Sequence, residues 1–379
     1  MKKVVAVVLV CALCFALAAC GKTDEGGNSS ESGATVTPRV LEEGENLITG
    51  YKPGNVTLGQ YTGLTYKPLS VEVTEEEVQA KLDQYVDSYK TKVEVTDRDV
   101  VQTGDVVDID YEGFKDGENF NGGTGSISTL QIGSNYFITS FEDAMIGKSK
   151  GEFSIDVVFP ENYKNTDLAG QPAVFKINLK GIYKYEYPEL TDAFVAEKTL
   201  NKYETVEAYK ENIRSQIKSQ KEEDAQSQKE YDLIMKLIEN TTYNIDMDPE
   251  IEKGEKSLKT YNDSAFISAY GMDAAGYYST YLGISAEQYN AMIHSQAEIS
   301  VKYEFALSAI AATENFSVTD QEIDELGKTL MSQYGYTSLD EFVDVLANLN
   351  GVDGRKYLAE QVKLNKAGDL VKDTAIPEE

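Results

Sequence analysis

The chain has 379 residues and carries 64 Asp plus Glu against 35 Lys plus Arg, a formal charge of −29. A surface this acidic, with no basic stripe, repels phosphate backbones and argues against nucleic acid as a partner. One histidine, His294, and three cysteines, Cys11, Cys14 and Cys20, exclude histidine-rich zinc sites and disfavour thiol redox chemistry. His294 lies in AMIHSQAEISVKYEF, whose spaced apolar positions predict an ordinary helix. The 41 % hydrophobic content fits a folded protein of two or three domains.

The N-terminus reads as an address. Lys2 and Lys3 precede an apolar run from Val4 to about Leu17, followed by small residues. This is the layout of a secretory signal peptide, short for a membrane span. Leu17-Ala18-Ala19-Cys20 resembles the bacterial lipobox, in which the cysteine is acylated and becomes the first residue after cleavage. Residues 1–19 are therefore expected to be a lipoprotein signal, with Cys20 the lipidation site and the bacterial cell membrane the anchor. Removing Lys2 and Lys3 leaves the rest more acidic still. Residues 20–50 are rich in Gly, Ser, Thr and Glu and read as a flexible tether. Such a tether has a root-mean-square reach of roughly 25–30 Å.

Residues 55–72 alternate loosely and predict extended structure. Thr74-Glu75-Glu76-Glu77 is a capping box, and Val78, Leu82, Tyr85 and Val86 follow at helical spacing. Residues 51–100 thus form a strand–helix connector expected to pack with the helical body. From residue 101 the pattern turns to strands: Asp105–Tyr111, Phe153–Phe159 and Val174–Ile182, with Asp116-Gly117 as a tight turn and Ser140–Met145 as one short helix. Residues 101–185 read as a compact α+β domain.

Residues 186–379 are almost entirely helical in pattern. Val206, Tyr209, Ile213 and Ile217 mark one stripe, resumed at Tyr231, Ile234, Leu237 and Ile238. Lys218–Glu230 between them is polar on every face, the mark of a bridging or projecting helix. Capping boxes at Thr319–Glu322 and Ser338–Glu341 open two more helices. Tyr261, Tyr270, Tyr277, Tyr278, Tyr281 and Tyr289 crowd one stretch with Phe266 and Met272. That composition suits either helix-packing core or loose recognition of unfolded chains.

The central segment carries a family likeness. GDVVDIDYEGFKDGENFNGG (104–123) resembles the opening of FKBP-type peptidyl-prolyl isomerases. SFEDAMIGKSKGEFSIDVVFPENY (140–163), LAGQPAVFKINLKGI (168–182) and PELTDAF (188–194) look like the trigger factor version. The resemblance is strong over about 101–194 and continues weakly through the helices and back into 55–90. It implies an antiparallel sheet wrapped on a short helix, plus a mostly α-helical chaperone domain of trigger factor type.

Prolyl isomerisation needs no nucleophile, metal or cofactor, and none is implied. Its barrier is amide resonance, about 18–20 kcal/mol. An apolar enclosure with directed hydrogen bonds lowers it by preferring the twisted, less polar amide. The resemblance implies a pocket of Tyr111 on the opening strand, Phe120 and Asn121 before the Gly-Gly turn, Phe137, Ile138 and Phe141 as floor and approaching amide, Tyr163 at the rim and Phe175 as far wall. Asn121 stands where simple FKBP enzymes carry Asp, Ser128 replaces a pocket aromatic, and Ser140 and Ala144 replace glycines. These departures imply weak or lost turnover with peptide binding kept.

The expected partners are unfolded or newly secreted polypeptides with X-Pro segments, and the membrane through the lipid. The basic G-F-R-x-G-K-x-P loop of ribosome-docking trigger factors has no counterpart between Cys20 and Asn55, so ribosome binding is not expected. Two alternatives stay open on sequence: a holdase with an inactive isomerase site, and a solute-binding lipoprotein, which would need two α/β lobes.

Overall fold

The computed structural model describes residues 46–378, apart from the side chains of Leu349 and Asn350. The signal sequence, Cys20 and most of the tether lie outside the described residues. Two compact units divide the chain: residues 72–219, and a discontinuous one made of 46–71 with 220–378.

In the first unit, α1 (Glu75–Asp87) begins at Thr74, whose hydroxyl accepts from the Glu77 N–H while Glu77 returns a bond to the Thr74 N–H. Val78 and Leu82 on its inner face pack with Ile213. Five antiparallel strands follow: β3 (Thr91–Glu94), β4 (Val106–Lys115), β5 (Glu118–Gln131), β6 (Gly151–Val158) and β7 (Pro172–Glu186). The two short strands β1 (Val56–Leu58) and β2 (Thr65–Tyr66) precede them. β7 is the spine. It pairs with β4 along one edge and with β6 and β3 along the other, and β5 continues outward from β4. Asp116 and Gly117 join β4 to β5 with φ of 52° and 85°. Both lie in the left-handed region that a twist-matched two-residue hairpin requires, and Asp-Gly adopts it at low cost.

Alternation along β7 turns Ala173, Phe175, Ile177 and Leu179 inward. They meet Val107 and Ile109 of β4 and the buried face of α2 (Thr139–Met145), namely Phe141 and Met145. The isomerase-like core is this layer of sheet and helix. α3 (Asp192–Lys198) follows, capped by Thr191.

α4 (Val206–Glu239) runs unbroken for 34 residues and passes from one unit into the other. The polar stretch 218–230 occupies its middle, so the all-round polarity marks the span between two buried stripes. In the second unit, β1 pairs with β8 (Thr241–Tyr243), and β2 pairs in parallel with β9 (Ile376–Pro377) near the end of the chain. The helices are α5 (Asp248–Tyr270), α6 (Ala274–Leu282), α7 (Ala286–Glu314), α8 (Asp320–Gln333), α9 (Leu339–Asn350) and α10 (Gly354–Asp373). Thr319 forms its capping box in full, whereas Ser338 accepts from the Glu341 N–H. Residues 305–311 of α7 are buried without a break, split between two clusters that also take in Tyr51 and Met247 on one side and Leu237 and Leu364 on the other. No helix among the described residues is long and apolar enough to cross a membrane. His294 sits exposed on α7 with Nδ1 2.6 Å from Glu255 Oε1.

Glu304 lies in the same helix. Part of its surface is accessible, yet burial pushes its carboxyl up to about 7. Below an ordinary carboxyl pKa both folded and unfolded chains hold the proton. As pH rises toward 7 the unfolded chain ionises first, so the native state loses stability across that window and levels off above it. The loss amounts to roughly 3 kcal/mol at most. Glu304→Gln is expected to remove this slope, read as a urea midpoint nearly equal at about pH 5 and about pH 8. A slope unchanged by the substitution would place its origin elsewhere.

Candidate functional site

Seven of the eight expected pocket residues come together against the isomerase-like core. Phe141 and Phe175 are buried, and their rings meet edge to face at 5.1 Å between centroids. Around this floor stand Tyr111, Phe120, Phe137, Ile138 and Tyr163, each half-buried and packed on the core. Tyr111 lies 5.2 Å from Phe137, and Phe137 stacks on Phe141 at 4.7 Å. Edge-to-face and offset contacts of this kind suit the ring quadrupoles. Phe120 lies 5.8 Å from Phe175 and 5.9 Å from Phe159, which itself contacts Tyr163 at 4.7 Å.

Asn121 is outside this group and exposed. The β4–β5 register shows why. Phe114 pairs with Asn119 and Glu112 with Thr124, so residues 120–123 bulge opposite the single Gly113. Gly122 bends the bulge at φ 81°. Phe120 is thereby turned inward and Asn121 outward. The ring needs the glycine beneath it: a Cβ on Gly113 would lie 2.6 Å from Phe120 Cζ and 2.7 Å from Phe175 Cε1.

Ser128 is exposed on β5, and its carbonyl accepts from Lys92 at 2.7 Å. Ser140 donates to the Val158 carbonyl at 2.9 Å, and Ala144 packs half-buried on the core. Neither of the two departures on α2 disturbs the helix.

Sequence reasoning missed two contributors. Phe159, buried, bridges Phe120 and Tyr163; the Phe-Pro step in FPENY was its only signal. Glu142, also buried, is the organiser of the loop before α2. Its carboxylate accepts from the N–H of Gly133 (2.8 Å), Asn135 (3.0 Å) and Phe137 (2.9 Å). That carboxylate holds residues 133–137 in one shape, which delivers the Phe137 ring and the start of α2. Ile138 caps α2 through its carbonyl, which accepts from Phe141 and Glu142. Its own N–H meets no backbone acceptor among the described residues. An unused amide donor thus lies beside the aromatic rim.

Open grooves of about 700 Å³ and 380 Å³ lie elsewhere on the sheet, the larger lined by Phe114, Val158, Val174 and Lys176. Apart from Tyr111 in the smaller, none of the expected pocket residues lines them. The rings of the aromatic cluster pack on one another, and its half-buried members form a rim.

Two family models match. Residues 98–180 match the FKBP-type peptidyl-prolyl cis-trans isomerase, and residues 205–373 match the bacterial trigger factor protein C-terminus. Trigger factor of Agathobacter rectalis is 32 % identical over 358 residues, covering 93 % of this chain and 78 % of that protein. The chain belongs to the trigger factor family. Trigger factor of Halothermothrix orenii is 35 % identical over 294 residues, covering 76 % of this chain and 67 % of its own length. A solved structure concerned with promiscuous substrate recognition by the trigger factor chaperone shares 18 % identity at a TM-score of 0.40, covering 84 % of this chain and 72 % of that one.

The α+β architecture expected from sequence, an FKBP domain with a helical C-terminal domain, is therefore observed. Membership makes the chain a peptidyl-prolyl cis-trans isomerase and chaperone of the trigger factor type. A solute-binding protein is left without its two α/β lobes among the described residues.

Proposed function

We propose that this trigger factor relative is a lipid-anchored, extracytoplasmic foldase for secreted proteins, binding unfolded chains and turning their X-Pro bonds at the aromatic rim. The observation that carries the catalytic part is the buried Phe141–Phe175 floor with half-buried rings around it and the unused Ile138 amide alongside. An X-Pro ring set on Tyr111, Phe120 and Phe137 loses water. The planar amide, with its larger dipole, is disfavoured there relative to the twisted one. In this reading the Ile138 N–H is the donor assigned to the substrate carbonyl, Tyr163 offers its hydroxyl at the rim, and Phe175 closes the floor. With Asn121 turned outward and Ser128 exposed, that side of the site is open to water, which favours a modest rate over a fast one.

The location rests on the apolar leader and on Leu17-Ala18-Ala19-Cys20. Several acyl chains on one residue suffice for stable anchoring, whereas a single chain is marginal. The tether then lets the folded part reach clients emerging at the outer surface.

A proline-limited refolding assay on the chain from Cys20 onward tests the catalytic reading. Acceleration by wild type and a loss of about tenfold or more in Tyr111→Ala are expected. No acceleration by wild type, with aggregation still suppressed, would leave a holdase. For the anchor, Cys20→Ser should abolish fatty-acid labelling and release the protein from membranes; persistence of both would refute it.

A further inference from the structure

The bulge that turns Asn121 outward places an Asn-Gly step in solvent. In such a step the glycine nitrogen readily attacks the preceding side-chain amide, because no Cβ stands in its way. Two occur in the chain, Asn121-Gly122 and Asn350-Gly351. Their glycine nitrogens are held differently. Gly351 donates to the Ala347 carbonyl at 2.9 Å, closing the end of α9. Residues 120–123, by contrast, have no partner in the β4–β5 register, and Asn121 and Gly122 are both exposed. A Cβ on Gly122 would meet nothing within 4 Å, so the space around the step is open. The Asn121 amide makes no hydrogen bond to the protein among the described residues.

We propose that Asn121-Gly122 is a self-modification site: its side-chain amide is lost as ammonia, and the isoaspartate that results slows the isomerase by displacing Phe120. The conversion stands on local geometry, whereas its effect on turnover rests on the isomerase reading above.

Water is the one co-reactant. The deprotonated Gly122 nitrogen bonds to Asn121 Cγ as the Cγ–Nδ2 bond breaks. The amino group leaves as ammonia with the proton that Gly122 gave up, and a cyclic imide remains. Water then adds its hydroxyl to one imide carbonyl and returns a proton to the Gly122 nitrogen. Opening at Cγ gives aspartate. Opening at the main-chain carbonyl gives isoaspartate, whose backbone runs through Cβ and is longer by that atom.

The added length matters because of what this backbone touches. Phe120 is pressed by two glycines: a Cβ on Gly113 would lie 2.6 Å from its Cζ, and one on Gly123 would lie 2.8 Å from its Cε2. An extra atom between Phe120 and Gly123 shifts one against the other. The ring also contacts Phe175 and Phe159, at 5.8 and 5.9 Å between centroids. Its displacement therefore opens the rim on that side. Turnover declines with the age of each molecule.

The full chain is aged in mildly alkaline buffer made with heavy-oxygen water, since attack needs the deprotonated nitrogen. Peptide mass spectrometry should find heavy oxygen at residue 121 and none at residue 350, and isoaspartate methyltransferase should label the aged chain. Anion exchange separates the converted fraction by its added charge. That fraction should turn short X-Pro peptides about tenfold or more slowly than the unconverted one, and should unfold at lower urea. Aged Asn121→Gln should keep its own fresh activity, because the longer side chain closes the ring poorly. Asn121→Asp carries the charge on an ordinary backbone and should lose far less than the converted fraction.

No heavy oxygen at residue 121 after a free peptide of residues 116–126 has converted would overturn the site, as would equal labelling at residue 350. Equal rates and urea midpoints in the two fractions would overturn the link to Phe120. So would an Asn121→Asp loss as large as that of the converted fraction, or an Asn121→Gln chain that ages like wild type. If fresh wild type lacks isomerase activity, the catalytic reading fails, and the urea midpoints still decide whether Phe120 is unseated.

Discussion

Phe175→Ala is expected to destabilise the isomerase domain by about 3–5 kcal/mol, the usual cost of removing a buried phenylalanine ring. The ring contacts Tyr111, Phe120 and Phe141 at once, with centroids between 5.1 and 6.2 Å. Removing it leaves a cavity that β7 cannot close, because β7 is hydrogen-bonded along both edges, to β4 and to β6. The effect on isomerisation should exceed the effect on folding when both are compared below the unfolding transition. Phe120 and Tyr111 lose the surface that holds their rim positions, and a shift of about 1 Å in positioning groups can cost a hundredfold in rate. Urea unfolding of the variant beside its rate on a short X-Pro peptide checks both. A variant as stable as wild type would show that the ring is not part of the packed floor.

Glu142→Ala should be nearly as damaging, through a different route. Three backbone N–H groups lose one charged acceptor, and charge-assisted bonds of this kind net about 1.5–3 kcal/mol each. Gly133 and Asn135 are exposed, so water replaces part of the loss there, whereas Phe137 is half-buried and its N–H is less well served. A total near 3 kcal/mol is expected, with isomerase activity down by about tenfold to a hundredfold as the Phe137 ring and the Ile138 amide lose their fixed positions. Glu142→Gln should fall between. Its amide oxygen can serve the bonds made by one carboxylate oxygen, but its NH₂ then faces the donors on the other side. Wild-type-like stability and rate in the alanine variant would show that the loop holds its shape without the carboxylate.

The sequence by itself determined those features whose causes are local. Alternation of β-branched and aromatic residues marked β4 and β7, Asp116-Gly117 specified a hairpin turn because both positions need positive φ, and Thr74 and Thr319 specified helix starts because the third-following Glu can return a bond. The residues expected to gather around Tyr111 do so, apart from Asn121. What excluded Asn121 was invisible locally: the register with β4 leaves residues 120–123 opposite one glycine, and a pairing offset cannot be read from either strand alone. Glu142 looked like one more acidic residue on a short helix, since nothing in the sequence shows that residues 133–137 fold back over it.

The tyrosine stretch was ambiguous for the same reason, because helical spacing says which side chains share a face but not what covers it. Only tertiary structure sorted the buried Tyr289 from the exposed Tyr270 and Tyr281. The pairing of β2 with β9, more than three hundred residues apart in sequence, was likewise decided by tertiary structure. Turns, caps and periodicity are fixed by neighbouring residues and their dihedral preferences. Register, burial and the choice of partner depend on which distant surfaces exclude water together.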